Sequence, residues 1–343
     1  MSPKRILIAG PNWIGDLVMA DTLLKLLRQA EPETSIDLLA PAWVLPLAER
    51  MAEVTTAIEI PGGHGELAFG ARRRLARELR KNGYTQAYVL PRSAKAALLP
   101  WLARIPVRTG YRGEARYGLL NDMRRVNPSH HAVAERYAAL AFTPGAELPA
   151  SLPRPELLSD VAARTATLTR LGLRAEAGAV ALAPGAEYGP AKRWPIAYFT
   201  ELAARLIAEG QPVWVLGSVR ERPLGEAIRA RVSDVRNLAG ETSLIEAVDV
   251  LAAATAAVVN DSGLMHVAAA VGTPLVAIYG SSSPCYTPPA SERAEVIYLA
   301  LPCSPCFARE CPLGHLNCLR AIGVGGVYAA VNRQIGAPAR SAV

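Results

Sequence analysis

A carboxylate, Asp16, stands in "GPNWIGDLVM", residues 10–19, directly after Gly15. The stretch follows the apolar run "RILIA" and precedes "ADTLLKLLRQA", the pattern of a strand, a glycine-flanked turn and a helix. Turns of this kind receive phosphate through free backbone N–H groups, and a carboxylate there would repel it. At the carboxyl end of a first strand, Asp16 can instead take a proton from an attacking hydroxyl. The plainer reading is a helix cap or first-turn acid, worth about 1 kcal/mol.

Two further turns carry chemistry. In "VVNDSGLMHVAAAVGTPLVAIYGSSSP", residues 258–284, a buried strand ends at Asn260, and Asp261, Ser262 and Gly263 turn into a helix starting near Leu264. Free N–H groups at that helix start, with the dipole behind them, suit a phosphate or diphosphate. A plain capped helix, with Asp261 or Ser262 as N-cap, is the alternative. In "LAPGAEYGPAKRWPIAYF", residues 182–199, a strand runs into a Gly/Pro-rich loop. Lys192 and Arg193 would present cations there, ahead of Pro195 in a first helical turn. Ordinary surface charge is the competing account. Neither G-x-G-x-x-G nor G-x-x-x-x-G-K-[ST] occurs at a strand–helix junction, which weighs against a dinucleotide dehydrogenase and a P-loop NTPase.

All five cysteines lie beyond residue 284. Cys303, Cys306, Cys311 and Cys318 form C-x2-C-x4-C-x6-C, with His315 inside it. The opening pair suits zinc or an iron–sulfur cluster, but the later spacings match neither common paired arrangement. The expectation is therefore no metal, with reduced thiols or a facultative disulfide packing an irregular loop.

The elements that must position these turns alternate in type. Strands are expected at 4–9, 35–40, 55–60, 84–90 and 105–111, with helical runs near 17–30, 43–52, 66–82 and 94–104. Such alternation implies βαβ units and a parallel sheet. "FTPGAELPASLPRPELLSD" breaks it and reads as a linker, after which strands and helices alternate again. At 343 residues the chain suits two domains, each an α/β doubly wound sheet, and ligands would bind at the carboxyl ends of the strands.

Charge is lopsided. Residues 1–150 hold 20 Lys and Arg against 14 Asp and Glu, whereas the remainder holds 17 against 16. Between Arg72 and Arg125 stand 14 basic and three acidic residues. An anionic partner for the first half is expected: nucleic acid, a membrane surface or a phosphorylated substrate. For "ARRRLARELRK" alone, a solvated helix face is the equal alternative. With aromatics at 6% and no run of RNA-stacking aromatics, a nucleic-acid-binding protein is disfavoured. No apolar stretch of about 18 uncharged residues occurs. The opening "MSPKRILIAG" lacks an apolar signal core, so a cytoplasmic location is expected.

Taken together, "IAGPNWIGDLVMADTL", "RIPVRTGYRGEARYGLLND", "PGAEYGPAKRWP", "NDSGLMHVAAAVGTPLVAIYGSSSP" and "CSPCFARECPLGHLNCL" resemble the glycosyltransferase family 9 heptosyltransferases, in the family's order and over nearly the whole chain. Arg92 in "LPRSAK" departs from the family's usual smaller polar residue. The resemblance implies a GT-B architecture, two Rossmann-like domains facing across a cleft. Residues 1–150 would bind acceptor and 176–318 the nucleotide sugar, joined by a linker region at 151–175. Residues 319–343 would cross back to the first domain. The implied reaction is inverting transfer of L-glycero-D-manno-heptose from ADP-heptose to the first heptose of the lipopolysaccharide inner core. Another heptosyltransferase type, or another nucleotide-sugar transferase, is the alternative. A silent glycolipid-binding protein is a further rival, disfavoured by Asp16 and Lys192.

On this resemblance Asp16 is the general base. Gly185, Lys192, Glu221, Asp261, Ser262, Gly263 and His266 bind the donor. Asn12, Trp13, Arg92, Lys95, Arg112 and Arg116 bind the anionic acceptor at the inner leaflet. No metal or other cofactor is required, and ADP-heptose is a substrate.

Overall fold

The computed structural model describes residues 4–336 apart from 64, 65, 67 and 175–177. The chain divides into two compact units, Met1–Leu158 and Ser159–Val343. In the first, β1 (Arg5–Ala9), α1 (Ile14–Ala30), β2 (Ser35–Ala40), β3 (Thr56–Glu59), α2 (Phe69–Lys81), β4 (Gln86–Val89), α3 (Ala94–Leu102), β5 (Val107–Tyr111), β6 (Asp122–Arg124) and α4 (Val133–Ala138) follow in order. The sheet is parallel throughout, in the order β3-β2-β1-β4-β5-β6. Its central strands are apolar on both faces because helices cover both. Ile6–Ala9 and Leu38–Ala40 are accordingly buried.

The second unit contains α5 (Val161–Leu171), β7 (Val180–Ala183), α6 (Ile196–Ala208), β8 (Val213–Val215), α7 (Arg222–Arg229), β9 (Arg236–Asn237), α8 (Leu244–Ala253), β10 (Ala256–Asn260), α9 (Gly263–Ala270), β11 (Leu275–Ile278), β12 (Ala294–Ile297), α10 (Asn317–Arg320) and α11 (Val324–Gly336). Its sheet order, β12-β11-β10-β7-β8-β9, is the first sheet's order read from the other edge. Every pairing in it is parallel as well.

The expected strands and most helices are in place, with instructive exceptions. The run 43–52 is a 3₁₀ helix over Leu45–Arg50, with Pro46 in its first turn. Two of the four outer strands, β6 and β12, have three and four residues, too few for an alternation to register. The linker region 151–175 is divided between the units. Its first part belongs to the N-terminal unit, since Glu156 N–H donates to Asp21 (2.9 Å) and Leu158 N–H to the Arg50 carbonyl (2.8 Å). Its second part forms α5, capped by Asp160 and fastened to α8 where Ser159 and Thr167 both donate to Asp249. Residue 175, where that region was expected to end, and residue 176 lie outside the described residues.

In the C-terminal segment, α11 places Val324, Val327, Ala330 and Val331 in the core of the second unit, with Phe199, Val258, Val276 and Ile278. An apolar stripe at i, i+3 and i+7 has to be buried somewhere, and the sheet beside α6 accepts it. The Trp194 indole N–H donates to the Ile322 carbonyl (2.9 Å), and Arg333 pairs with Glu295. Residues 337–343 lie outside the described part.

One buried acid makes the first unit sensitive to pH. Asp21 on α1 is fully buried, and its carboxyl is pushed up from 3.8 to about 8, first by burial and then by neighbouring Glu53. The Glu156 amide and Lys25 oppose the shift without cancelling it. A carboxyl whose folded-state pKa is raised adds stability below its unfolded value, near 4, and loses it as pH rises through about 8. Asp21→Asn is therefore expected to raise Tm more at pH 8 than at pH 5. Parallel Tm–pH curves for variant and wild type would contradict this assignment.

Candidate active site

In each sheet the strand order reverses once, between β1 and β4 and between β7 and β10. Loops leaving the carboxyl ends of two such strands diverge to opposite faces, and the gap between them is where open α/β sheets bind ligands. The sequence-predicted residues fall at these two places.

In the first unit, β1 runs into Gly10, whose N–H donates to the Leu39 carbonyl at 2.8 Å. A Cβ on Gly10 would stand 3.0 Å from that carbonyl oxygen, so the approach favours glycine. Trp13 is the N-cap of α1 without a side-chain cap, which starts the helix at Ile14, three residues earlier than the apolar periodicity suggests. Asp16 is the third helical residue, half-buried, in the first turn where the dipole favours its charge. The exposed Asn12 accepts at its carbonyl from the Trp43 indole N–H (3.0 Å). Trp13 and Trp43 are each about half exposed, at 47% and 48%, and offer flat apolar faces near the start of α1. Trp43 belongs to the loop after β2, so only the fold connects it to this place.

Across the reversal, Arg92 follows β4 and Arg112 follows β5. Both are exposed, and Arg92 Nε donates to the Arg112 carbonyl at 3.1 Å. A Cβ on Gly113 would lie 2.1 Å from the Arg92 carbonyl oxygen, so this loop pair can close only over glycine. Lys95, at the start of α3, donates to the Glu66 carbonyl. Desolvation and then nearby Arg72 hold its ammonium below the ordinary value.

Arg116 requires correction. It was expected to meet the acceptor, but it is wholly buried. Its guanidinium donates to the carbonyls of Pro91 (2.6 Å), Ser93 (3.4 Å) and Tyr111, tying together the ends of β4 and β5. Arg108 and Arg124 are likewise spent on backbone carbonyls, so much of the basic excess is internal scaffolding.

In the second unit, Asn260 closes the reversal. Its side chain accepts from the Trp194 N–H (3.0 Å) and donates to the Pro184 carbonyl (2.8 Å). The next residue, Asp261, is nearly buried and pairs with Lys192 at 2.5 Å. The ammonium also lies 5.0 Å from the Tyr188 ring centroid, and Thr287 donates to the other Asp261 oxygen. Ser262 is the N-cap of α9 but makes no side-chain cap, which leaves first-turn amides of the helix open to an anion. The helix begins at Gly263, one residue before the expected start.

Glu221 follows β8, the second strand of this unit, where an acid reads ribose hydroxyls in dinucleotide-binding folds. It is held by the Ser218 N–H (2.8 Å) and hydroxyl (3.0 Å). A Cβ on Gly185 would sit 1.8 Å from a Glu221 oxygen, so these two positions adjoin.

Two other expectations change. His266, expected to touch the donor, is buried on α9. Burial lowers its imidazole pKa to about 4 against the opposing pull of Asp261, with a smaller push from Lys192, so it stays neutral within the packing. Arg193 is not displayed as a free cation, because it donates twice to the Ala186 carbonyl (3.1 and 3.0 Å). Sequence reasoning assigned no role to Ser281 and Ser282, whose buried hydroxyls after β11 have no partner.

The Lys192–Asp261 pair makes a checkable claim about stability. Truncating one member of a largely desolvated pair strands the other charge, at about 3 kcal/mol. Lys192→Met is therefore expected to lower unfolding free energy by about that amount. Adding Asp261→Asn should recover most of it without restoring function. A stable single variant, measured by denaturant unfolding, would contradict the pairing.

Two doubly wound α/β units, one with an acid at its strand reversal and one with a cation beside an open helix start, make up a glycosyltransferase of the GT-B class. The family model "Glycosyltransferase family 9 (heptosyltransferase)" matches residues 72–317, and the chain belongs to that family. It is 47% identical over 306 residues to the lipopolysaccharide heptosyltransferase 2 of Escherichia coli K12, covering 86% of this chain and 88% of that one. The solved E. coli ADP-heptose LPS heptosyltransferase II superposes with a TM-score of 0.87 at 42% identity, over 97% of this chain and 98% of its own. E. coli heptosyltransferase WaaC with ADP-2-deoxy-2-fluoro heptose shares the fold, with a TM-score of 0.70 at 20% identity over 96% and 99% of the two chains.

Proposed function

We propose that this glycosyltransferase transfers L-glycero-D-manno-heptose, with inversion, from ADP-heptose to the first heptose of the lipopolysaccharide inner core. The observation that carries the reading is that each unit holds, at its own strand reversal, a site of opposite chemistry. Asp16 in the first turn of α1 supplies a base, while Lys192, held by Asp261 beside the start of α9, supplies a cation for diphosphate. Similarity to heptosyltransferase 2 over 86% of the chain supports the choice of donor and acceptor.

The reaction needs a hydroxyl made nucleophilic and a leaving group made stable. Asp16 accepts the proton of the acceptor hydroxyl as that oxygen attacks the anomeric carbon from the face opposite ADP. The bond to the diphosphate oxygen breaks and its electrons stay on ADP. Lys192 and the α9 amides meet the negative charge growing there, with no metal or other cofactor in the step. Glu221 beside Gly185 binds the ribose. Arg92, Lys95 and Arg112 face the anionic acceptor, and Trp13 lies against its sugar. The exposed basic side of α2, with Arg73, Arg74, Arg77 and Arg80, draws the enzyme to the anionic inner leaflet from the cytoplasm.

Acceptor choice tests the reading. With ADP-heptose as donor, monoheptosylated Kdo2-lipid A is expected to turn over at least about tenfold faster than Kdo2-lipid A without heptose, a difference of about 1.4 kcal/mol in the barrier. The reverse preference would reassign the enzyme to the first heptose, and no transfer to either would remove the proposed substrates. In vesicle sedimentation, binding to anionic membranes should weaken as salt rises. Full release already at low salt would contradict membrane recruitment.

A further inference from the structure

We propose that Cys303, Cys306, Cys311 and Cys318 form a thiolate site for one thiophilic metal ion, zinc or iron, which clips the 303–318 loop to the segment carrying Lys192. Several observations converge on this place. The four thiols line one small cavity together with His315 and Ser281. The Ser281 side chain is 1% exposed, and its hydroxyl has no partner. All four cysteines are free thiols, so no disulfide accounts for their convergence.

The surrounding backbone is shaped for thiolates. Backbone N–H groups of Leu316, Leu313, Gly314 and His315 are directed at the Cys311 sulfur. Such N–H groups directed at sulfur support a thiolate ligand. Phe307 and Leu316 sit in the left-handed region, at φ 53° and 52°, with Gly314 at 70°. A non-glycine residue held there is strained and persists only where its surroundings over-determine it. A four-sulfur set selects zinc or iron over harder ions.

As placed, no three His, Cys, Asp or Glu side chains among the described residues are grouped to hold a metal. Binding would therefore draw the four thiols together within the cavity they line and release their protons to solvent.

The loop's attachments give the clip a purpose. Phe307 N–H donates to the Ser281 carbonyl (2.6 Å), and Tyr188 hydroxyl to the Phe307 carbonyl (2.6 Å). Ala191 N–H donates to the Arg309 carbonyl (3.0 Å), one residue before Lys192. A Cβ on Gly189 would come within 2.4 Å of that same oxygen. The metal would thus act as a positioning element for Lys192 and Tyr188 and touch no substrate. It stands independently of which sugar is transferred.

Metal analysis of the full chain, purified with reductant and without chelator, tests the site. About one zinc or iron per chain is expected. Cys306→Ala with Cys311→Ala should drop that below about a tenth, and Cys285→Ala, outside the cavity, should not change it. Four thiols of the wild type should resist a thiol reagent until a chelator is added, and the chelator should lower Tm. The thiol and Tm readings decide the matter even if the double variant fails to fold. Wild type without metal that takes up neither Zn2+ nor Fe2+ would overturn the proposal. So would full metal in the double variant, or disulfides among the four cysteines.

Discussion

Parallel strands can reverse their spatial order only where two crossover helices leave a sheet on opposite faces, and here that happens between β1 and β4 and between β7 and β10. The loops that follow these four strands are pulled apart by the sheet itself, so each gap exists without any side chain having to hold it open. Asp16 and Arg92 stand at one gap. Lys192 and Asp261 stand at the other, with Asn260 stitching the two loop ends together. The chemistry is borrowed from position: a helix start concentrates partial positive charge, and what is placed beside it decides the use. In the proposed reaction a carboxylate at the start of α1 takes a proton, and at the start of α9 an uncapped serine and a lysine receive phosphate.

The cost of this arrangement lies in groups that must be buried to fix the loops. Asp261 is nearly buried and pairs with Lys192, whose ammonium lies over the Tyr188 ring, while Thr287 donates to its other oxygen. Arg116 plays the corresponding part in the first unit, answering carbonyls at the ends of β4 and β5 that would otherwise lie unpaired. Cationic side chains thus do two jobs that composition alone cannot separate. The net excess in the first half is partly a solvated basic helix and partly internal fastening.

How much could be read in advance follows from the range of each signal. The turns around Asp16, Lys192 and Asp261 were legible because strand, turn and helix adjoin in sequence. Arg92 and Arg116 share a residue type and similar local contexts, so burial alone separates them, and burial depends on what folds over each. Trp43 reaches Asn12 from a different loop, and Ser281 meets the cysteines only through the packed 303–318 segment. The destination of α11 was equally hidden: its stripe announces a helix that must be buried but not which sheet receives it. Four cysteines with irregular spacing gave no decisive pattern until the fold put them on one cavity.

The central claim is that proton removal and leaving-group stabilisation are divided between the two units. It is tested most directly by measuring ADP-heptose binding and single-turnover heptose transfer for Asp16→Ala against wild type. The account predicts unchanged donor affinity and a transfer rate lower by about 10²–10⁴, the usual contribution of a general base. Transfer at near wild-type rate would contradict it and leave Asp16 as a first-turn acid that only stabilises α1.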